Sequence, residues 1–386
     1  MTRPRILAAT YGHTHVDPSS FRNSVLLTMF GSVAGCALVG EVTDLSPKLV
    51  ERGHPEAPDG GVNWTRVGQM ASQVTSGFDV LFVQAGAFFG LDVMRAFREQ
   101  NPRGVIIAQR DSTHAATLLG LMRRGMVRHH IEWEHWYERD GGVNLRRDCE
   151  EYAEADFIFT LSKWVTSTFL AYAQTRGKVR HFSSQLSDER LWTLPPDGWA
   201  SRPPRFTACA VGSMGIRKGT LDLLDAWEIF WGRHPDARLL LAGETDGAEP
   251  DRVRDEVLRR IAESPATKRY GWTPPPHGTR AVYHASHVFV TAAIEEGSTM
   301  PGVEAPMCGL PIIATPNAGI DLLEHRRTGW VVPMESPHEF ADALCEAYDA
   351  WKGGTLEAMG LEARHRATTI GEYAEGFAAK MREVLA

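Results

Sequence analysis

The chain has 386 residues, 43% of them hydrophobic and 23% charged, a globular rather than a disordered composition that leaves room for two domains with separate cores. A formal net charge of −7 argues against general affinity for nucleic acid or an anionic membrane surface. The five cysteines, Cys36, Cys149, Cys209, Cys308 and Cys345, are odd in number and sit mostly in apolar or helical contexts, so they read as reduced thiols of a cytoplasmic protein.

Residues 1–12 hold no basic region followed by a long apolar run, so no signal peptide is expected; 5–10 reads instead as a first strand. Short apolar runs then alternate with amphipathic segments, as in parallel βαβ units. Strands are expected over 6–11, 79–84, 105–109 and 157–161, apolar almost throughout as buried parallel strands are, with helices over 62–74 and 91–99. Pro195, Pro196, Gly198, Pro203 and Pro204 then interrupt the pattern, which makes 193–205 an expected linker. The alternation restarts with strands over 206–211, 238–242, 288–292, 311–315 and 330–332, and helices over 220–231, 251–262 and 337–351. A last helix over 369–385 is expected to pack back onto the first domain. No stretch reaches the roughly 18 apolar residues of a membrane span. A soluble protein is expected, with peripheral contact to a membrane left open.

This order predicts an α/β fold of two Rossmann-like, doubly wound domains, over 1–192 and 206–368, facing across a cleft. Ligands of such sheets sit outside the carboxyl ends of the strands. The loops that matter are then 11–20, 110–114, 212–219, 243–247 and 295–304.

The most specific of these is the string EEGSTMPGVEAPMCGLP over 295–311. A strand ends, a small-residue loop of Gly297, Ser298, Thr299 and Met300 follows, and Pro301 stands where a helix begins. Such a loop offers backbone N–H groups to a phosphate. Glu296 and Glu304 bracket it. One carboxylate can accept both hydroxyls of a ribose diol, and another can hold sugar hydroxyls or support positive charge at an anomeric carbon. The bland alternative is a pair of surface glutamates capping a helix. The second string, Val211-Gly212-Ser213-Met214-Gly215-Ile216-Arg217-Lys218-Gly219, leaves a strand and opens a helix. A glycine loop, a cation and a helix N-terminus together would cradle a diphosphate, although a basic helix cap would look the same. The third is Gln109-Arg110-Asp111-Ser112-Thr113-His114, for which the bland alternative is a Ser112 or Thr113 N-cap beside a solvated histidine.

The segment over 295–311 resembles the E-x7-E signature of retaining GT-B glycosyltransferases, the large family-four or group 1 type, and the likeness extends through 310–315 and 329–333. The resemblance implies that Glu296 faces the transferred sugar and that Glu304 binds the ribose. It implies that Lys218 holds the departing pyrophosphate. Ser213 stands where the family usually has an arginine, and Arg217 is the candidate substitute. His114 matches a family histidine that approaches the donor sugar, with Arg110 beside it. Tyr270-Gly271-Trp272 is similar to the string whose backbone reads the base, which adds Trp272. Two departures stand out: Pro306 inside the short helix, and a first loop over 12–20 without the usual Gly-Gly pair.

The resemblance implies metal-independent transfer, with retention, from a nucleoside diphosphate sugar (UDP first, GDP next) to an acceptor hydroxyl. No cofactor beyond the donor is expected, nor a nucleic-acid partner. The acceptor is open, with Trp133, Trp136 and Tyr137 as candidate stacking groups; so is the choice between monomer and homodimer. The rival is a catalytically inactive GT-B protein that binds a sugar nucleotide or glycan. His129, His130 and His135 with Glu132 and Glu134 lack the spacing of a helical zinc pair, and Cys308 lacks a paired base, so neither set is taken as a site.

Overall fold

A computed structural model describes residues 3–9, 24–44, 75–86, 90–183, 186, 188–245, 249–273, 276–368 and 370–386. The first loop, 12–20, and the expected helix over 62–74 lie outside the described residues. The chain forms two compact units. One comprises Met1–Thr117, Glu134–Ser184 and Ile370–Ala386; the other comprises Leu118–Trp133 and Gln185–Thr369.

The first unit is built on a parallel sheet of β1 (Arg5–Ala9), β2 (Glu41–Asp44), β3 (Val80–Gln84), β4 (Val105–Arg110), β5 (Phe157–Thr160) and β6 (Val179–His181), in the order β2-β1-β3-β4-β5-β6. β3 is buried along its whole length, as its apolar sequence requires. Its helices are α1 (Ser24–Val39), α2 (Gly90–Gln100), the start of α3 (Ala115–Arg128), α4 (Arg139–Glu154), α5 (Lys163–Leu170) and α6 (Ala173–Arg176). The C-terminal helix, Ile370–Leu385, belongs here too. Its Phe377 and Met381 enter the core with Ile6, Val80, Phe82, Ile107 and Phe159. Ser32 of α1 donates to Gln109 Oε1 at 2.7 Å and lies 3.1 Å from the Tyr373 hydroxyl, which satisfies polar groups that burial would otherwise penalise.

The second unit repeats the plan. Its sheet holds β7 (Thr207–Val211), β8 (Arg238–Ala242), β9 (Thr267–Arg269), β10 (Val288–Thr291), β11 (Ile312–Ala314) and β12 (Gly329–Val331), all parallel, in the order β12-β11-β10-β7-β8-β9. Around it stand α7 (Thr220–Arg233), α8 (Asp251–Glu263), α9 (His277–His284), α10 (Pro301–Met307), α11 (Pro337–Lys352) and α12 (Leu356–His365), and the Ile370–Leu385 helix is α13. The proline-rich stretch 193–205 lies within this unit. There the buried Arg202 guanidinium donates to the carbonyls of Tyr283 at 2.8 Å and Cys308 at 2.6 Å. Among the described residues no helix is long and apolar enough to cross a membrane.

The apolar runs of the sequence locate the inner strands. β2, β6 and β9 escape that reading for one reason: each is a sheet edge, and EVTD, VRH and TKR carry the polar residues that edges tolerate.

Candidate active site

In the second unit the loops after β7, β8 and β9 are zipped together by their backbones. Gly212 N–H donates to Ala242 O at 2.9 Å, Met214 N–H to Glu244 O at 2.8 Å, and Gly243 N–H to Gly271 O at 2.6 Å. The Glu244 carboxylate then accepts from Trp272 N–H at 2.9 Å and from the Arg269 guanidinium. This leaves the Trp272 indole on the rim, 57% exposed, and Ser213 half-buried on the β7 loop.

Within the 212–219 loop, three N–H groups find partners inside the protein. Gly215 N–H donates to Thr220 Oγ1 at 3.0 Å, and the N–H groups of Ile216 and Arg217 donate to Glu249 Oε1 at 2.8 and 3.3 Å. A buried polar N–H must find a partner, and here the partners come from within the protein. The loop therefore presents side chains, Arg217 and Lys218, rather than those N–H groups. Gly219 turns the chain into α7 with φ of 63°; a Cβ there would lie 1.9 Å from Ala292 O.

The exit of β10 backs directly onto this loop. Ile294 and Glu295 N–H both donate to Arg217 O, at 3.0 and 3.3 Å. The next residue, Glu296, is buried, and its Oε1 accepts from Arg217 Nη1 at 2.6 Å and from the Lys218 ammonium. Arg217 Nη1 also reaches Glu295 Oε2 at 3.4 Å. Burial alone would push the Glu296 carboxyl up, but the Lys218 charge and then the Arg217 charge hold it below its usual range. Burial pushes the Lys218 ammonium down, against the opposing pull of Glu296. Three predicted residues thus meet at one carboxylate oxygen, and Arg217 keeps about a third of its side chain in solvent.

From there Gly297 and Ser298 lead to Thr299, whose N–H donates to Ala318 O at 3.2 Å, and to Met300, the N-cap of α10. The first turn closes on itself, with Gly302 N–H on Thr299 O and both Val303 and Glu304 N–H on Met300 O. The N–H groups of Gly302, Val303 and Glu304 are engaged within this turn. α10 continues through Pro306 to Met307. Glu304 is buried, and its Oε2 accepts from the Tyr283 hydroxyl at 3.0 Å.

His114 lies in the first unit at the end of β4 and is 1% exposed, not solvated. Its ring stacks on Tyr172 at 3.7 Å, with Tyr152 and Phe169 at 4.9 and 5.2 Å. Nδ1 accepts from Ala116 N–H at 3.3 Å, so His114 itself caps α3, in place of Ser112 or Thr113. Nε2 then carries the proton and has no partner among the described residues. Burial first, and the Arg110 charge second, lower its pKa to about 4. Arg110 is committed elsewhere: its buried guanidinium donates to Asp148 Oδ2 at 3.0 Å, Tyr137 Oη at 3.1 Å and Ala85 O at 3.2 Å.

The same network accounts for part of the aromatic set. Tyr137, 1% exposed, donates to Asp148 at 2.5 Å, and Trp136 packs on its ring at 3.9 Å. The histidines disperse, with His129 Nε2 3.3 Å from Asp222 Oδ2 and His135 Nδ1 accepting from Tyr137 N–H. Among the described residues no three His, Cys, Asp or Glu side chains gather as for a metal ion. The Cys308 thiol is fully buried, and burial pushes its pKa up, the opposite of an activated nucleophile.

Residues 205–350 match the family model for glycosyl transferases group 1. An uncharacterized glycosyltransferase of Haemophilus influenzae is 24% identical over 218 residues, 56% of this chain and 59% of that protein. A D-inositol 3-phosphate glycosyltransferase of Corynebacterium glutamicum is 29% identical over 165 residues, 42% of this chain and 38% of that protein. The chain thus spans less than two thirds of the length of these curated relatives. Sucrose-phosphate synthase of Thermosynechococcus elongatus shares the fold with a TM-score of 0.69 at 18% identity, over 99% of this chain and 98% of that one. HepE of Anabaena, solved with UDP-glucose, does so with a TM-score of 0.66 at 14% identity, over 98% and 100%.

Proposed function

We propose that this chain, whose residues 205–350 belong to the group 1 glycosyl transferases and whose fold is GT-B, moves a sugar from a nucleoside diphosphate sugar to an acceptor hydroxyl. The donor is a UDP-sugar first and a GDP-sugar next, in line with the UDP-glucose of HepE. The observation that carries the reading is the buried Glu296 carboxylate bonded by both Arg217 and Lys218.

In this reading the diphosphate draws Arg217 and Lys218 onto its oxygens, and Glu296 turns to the sugar hydroxyls. Glu304 takes the ribose diol, held by Tyr283. Gly212, Ser213 and the 297–300 loop line the phosphates, and Trp272 borders the base. The bond from the anomeric carbon to the phosphate oxygen breaks, the acceptor oxygen bonds the same face, and its proton passes to the leaving diphosphate. Configuration is retained. Two cations neutralise the leaving group, so the reaction proceeds without a divalent metal. His114 enters the reading only through its buried Nε2–H, a donor suited to a sugar hydroxyl. The compartment in this reading is the cytoplasm.

A thermal shift panel with UDP, GDP, ADP and TDP, each with and without Mg²⁺, tests the reading. UDP at about 100 times its dissociation constant stabilises the wild type by about 2.7 kcal/mol with or without metal, and Glu304→Ala abolishes the effect. A folded protein that no nucleotide stabilises would instead favour a glycan-binding protein without transfer activity.

A further inference from the structure

We infer that Glu249 is the positioning residue of the donor site, acting through the Ile216–Arg217 peptide. It rests on the reading of Arg217 and Lys218 as diphosphate ligands, and it adds a residue that belongs to none of the three sequence strings. Glu249 is 5% exposed and reaches the β7 loop from 33 residues away. Its Oε1 receives two consecutive N–H groups, from Ile216 and Arg217. The carboxylate also packs against Gly215: a Cβ there would lie 2.2 Å from Glu249 Oε2, so a side chain at 215 would push the carboxylate away.

The consequence runs in both directions along the backbone. Arg217 N–H is fixed by Glu249, and Arg217 O is the acceptor for Ile294 and Glu295 N–H. One peptide segment therefore ties the β7 loop to the β10 exit. The side chains that meet at Glu296 Oε1 are carried by residues 217 and 218, immediately after the clamped peptide. Without the carboxylate, a buried and a part-buried N–H group lose their acceptor, and the loop must move to find water. Arg217 and Lys218 move with it. An amide in place of the carboxylate keeps an oxygen acceptor in the same place, so the geometry survives.

The test compares wild type, Glu249→Gln and Glu249→Ala by two readouts. Hydrogen exchange is measured on the amides of 214–218, and UDP affinity is measured by titration. The expected result is fast exchange at Ile216 and Arg217 and about tenfold weaker UDP binding in Glu249→Ala, with Glu249→Gln close to wild type in both. Equal exchange protection in all three proteins would overturn the clamp. Glu249→Ala binding UDP as tightly as wild type would overturn its role in the donor site, as would a Gln variant as impaired as the Ala variant. If the wild type binds no nucleotide while Glu249→Ala still loosens the loop, the donor-site reading fails and the clamp stands.

Discussion

Glu296 and His114 are both buried ionisable groups, and their surroundings settle them in opposite ways. Glu296 has two cations at one oxygen and stays charged. His114 has aromatic walls and a nearby guanidinium and stays neutral, its pKa lowered to about 4 from the usual 6.5. The folded state therefore binds fewer protons at His114 than the unfolded state between those values, and stability falls as pH drops through that window. Its contribution is complete above about pH 6.5 and the full loss, near pH 4, is about 3 kcal/mol. Urea unfolding of wild type and His114→Asn at pH 7 and pH 5 checks this. The wild type loses more stability on acidification than the variant does; parallel losses would mean that His114 protonates freely in the folded state. Sequence alone could not show this burial, because a histidine between Thr113 and Ala115 is enclosed by Tyr152, Phe169 and Tyr172, which arrive from later segments.

The strand-to-helix turns set where the charged groups point. Gly219 begins α7 in the left-handed region, with Ala292 O filling the space of a side chain, whereas Gly232 near the end of the same helix has nothing within 4 Å. Gly219→Ala should cost about 2 kcal/mol or more, from the backbone conformation and the displaced β10 exit. Gly232→Ala should add about 0.5–1 kcal/mol through helix propensity. Denaturant midpoints with unchanged slopes measure both; equal and small effects would place the Gly219 turn elsewhere. The glycine loop and the Glu-rich loop were legible as elements, because each interrupts an apolar run and opens a helix. Their joining was not, because backbone bonds from 294 and 295 to Arg217 leave no mark on residue types. The same holds for Glu249, an acidic residue before a helix that reads as ordinary surface charge.

Over the whole molecule, two parallel six-stranded sheets recur with the fold of GT-B glycosyltransferases, and the alternation of apolar runs and amphipathic segments made that fold class readable. The family match, by contrast, is confined to 205–350, inside the second unit. The proposed donor residues Arg217, Lys218, Glu296 and Glu304 all fall inside that stretch. In the proposed function Lys218 and Arg217 receive the diphosphate of a nucleotide. Calorimetric titration of UDP, in a metal chelator, into wild type and Lys218→Ala tests it most directly. One UDP per wild-type chain is expected, with at least about tenfold weaker binding to the folded variant, the loss of one charge-assisted contact. Equal affinity for both proteins, or no binding to the wild type, would contradict it.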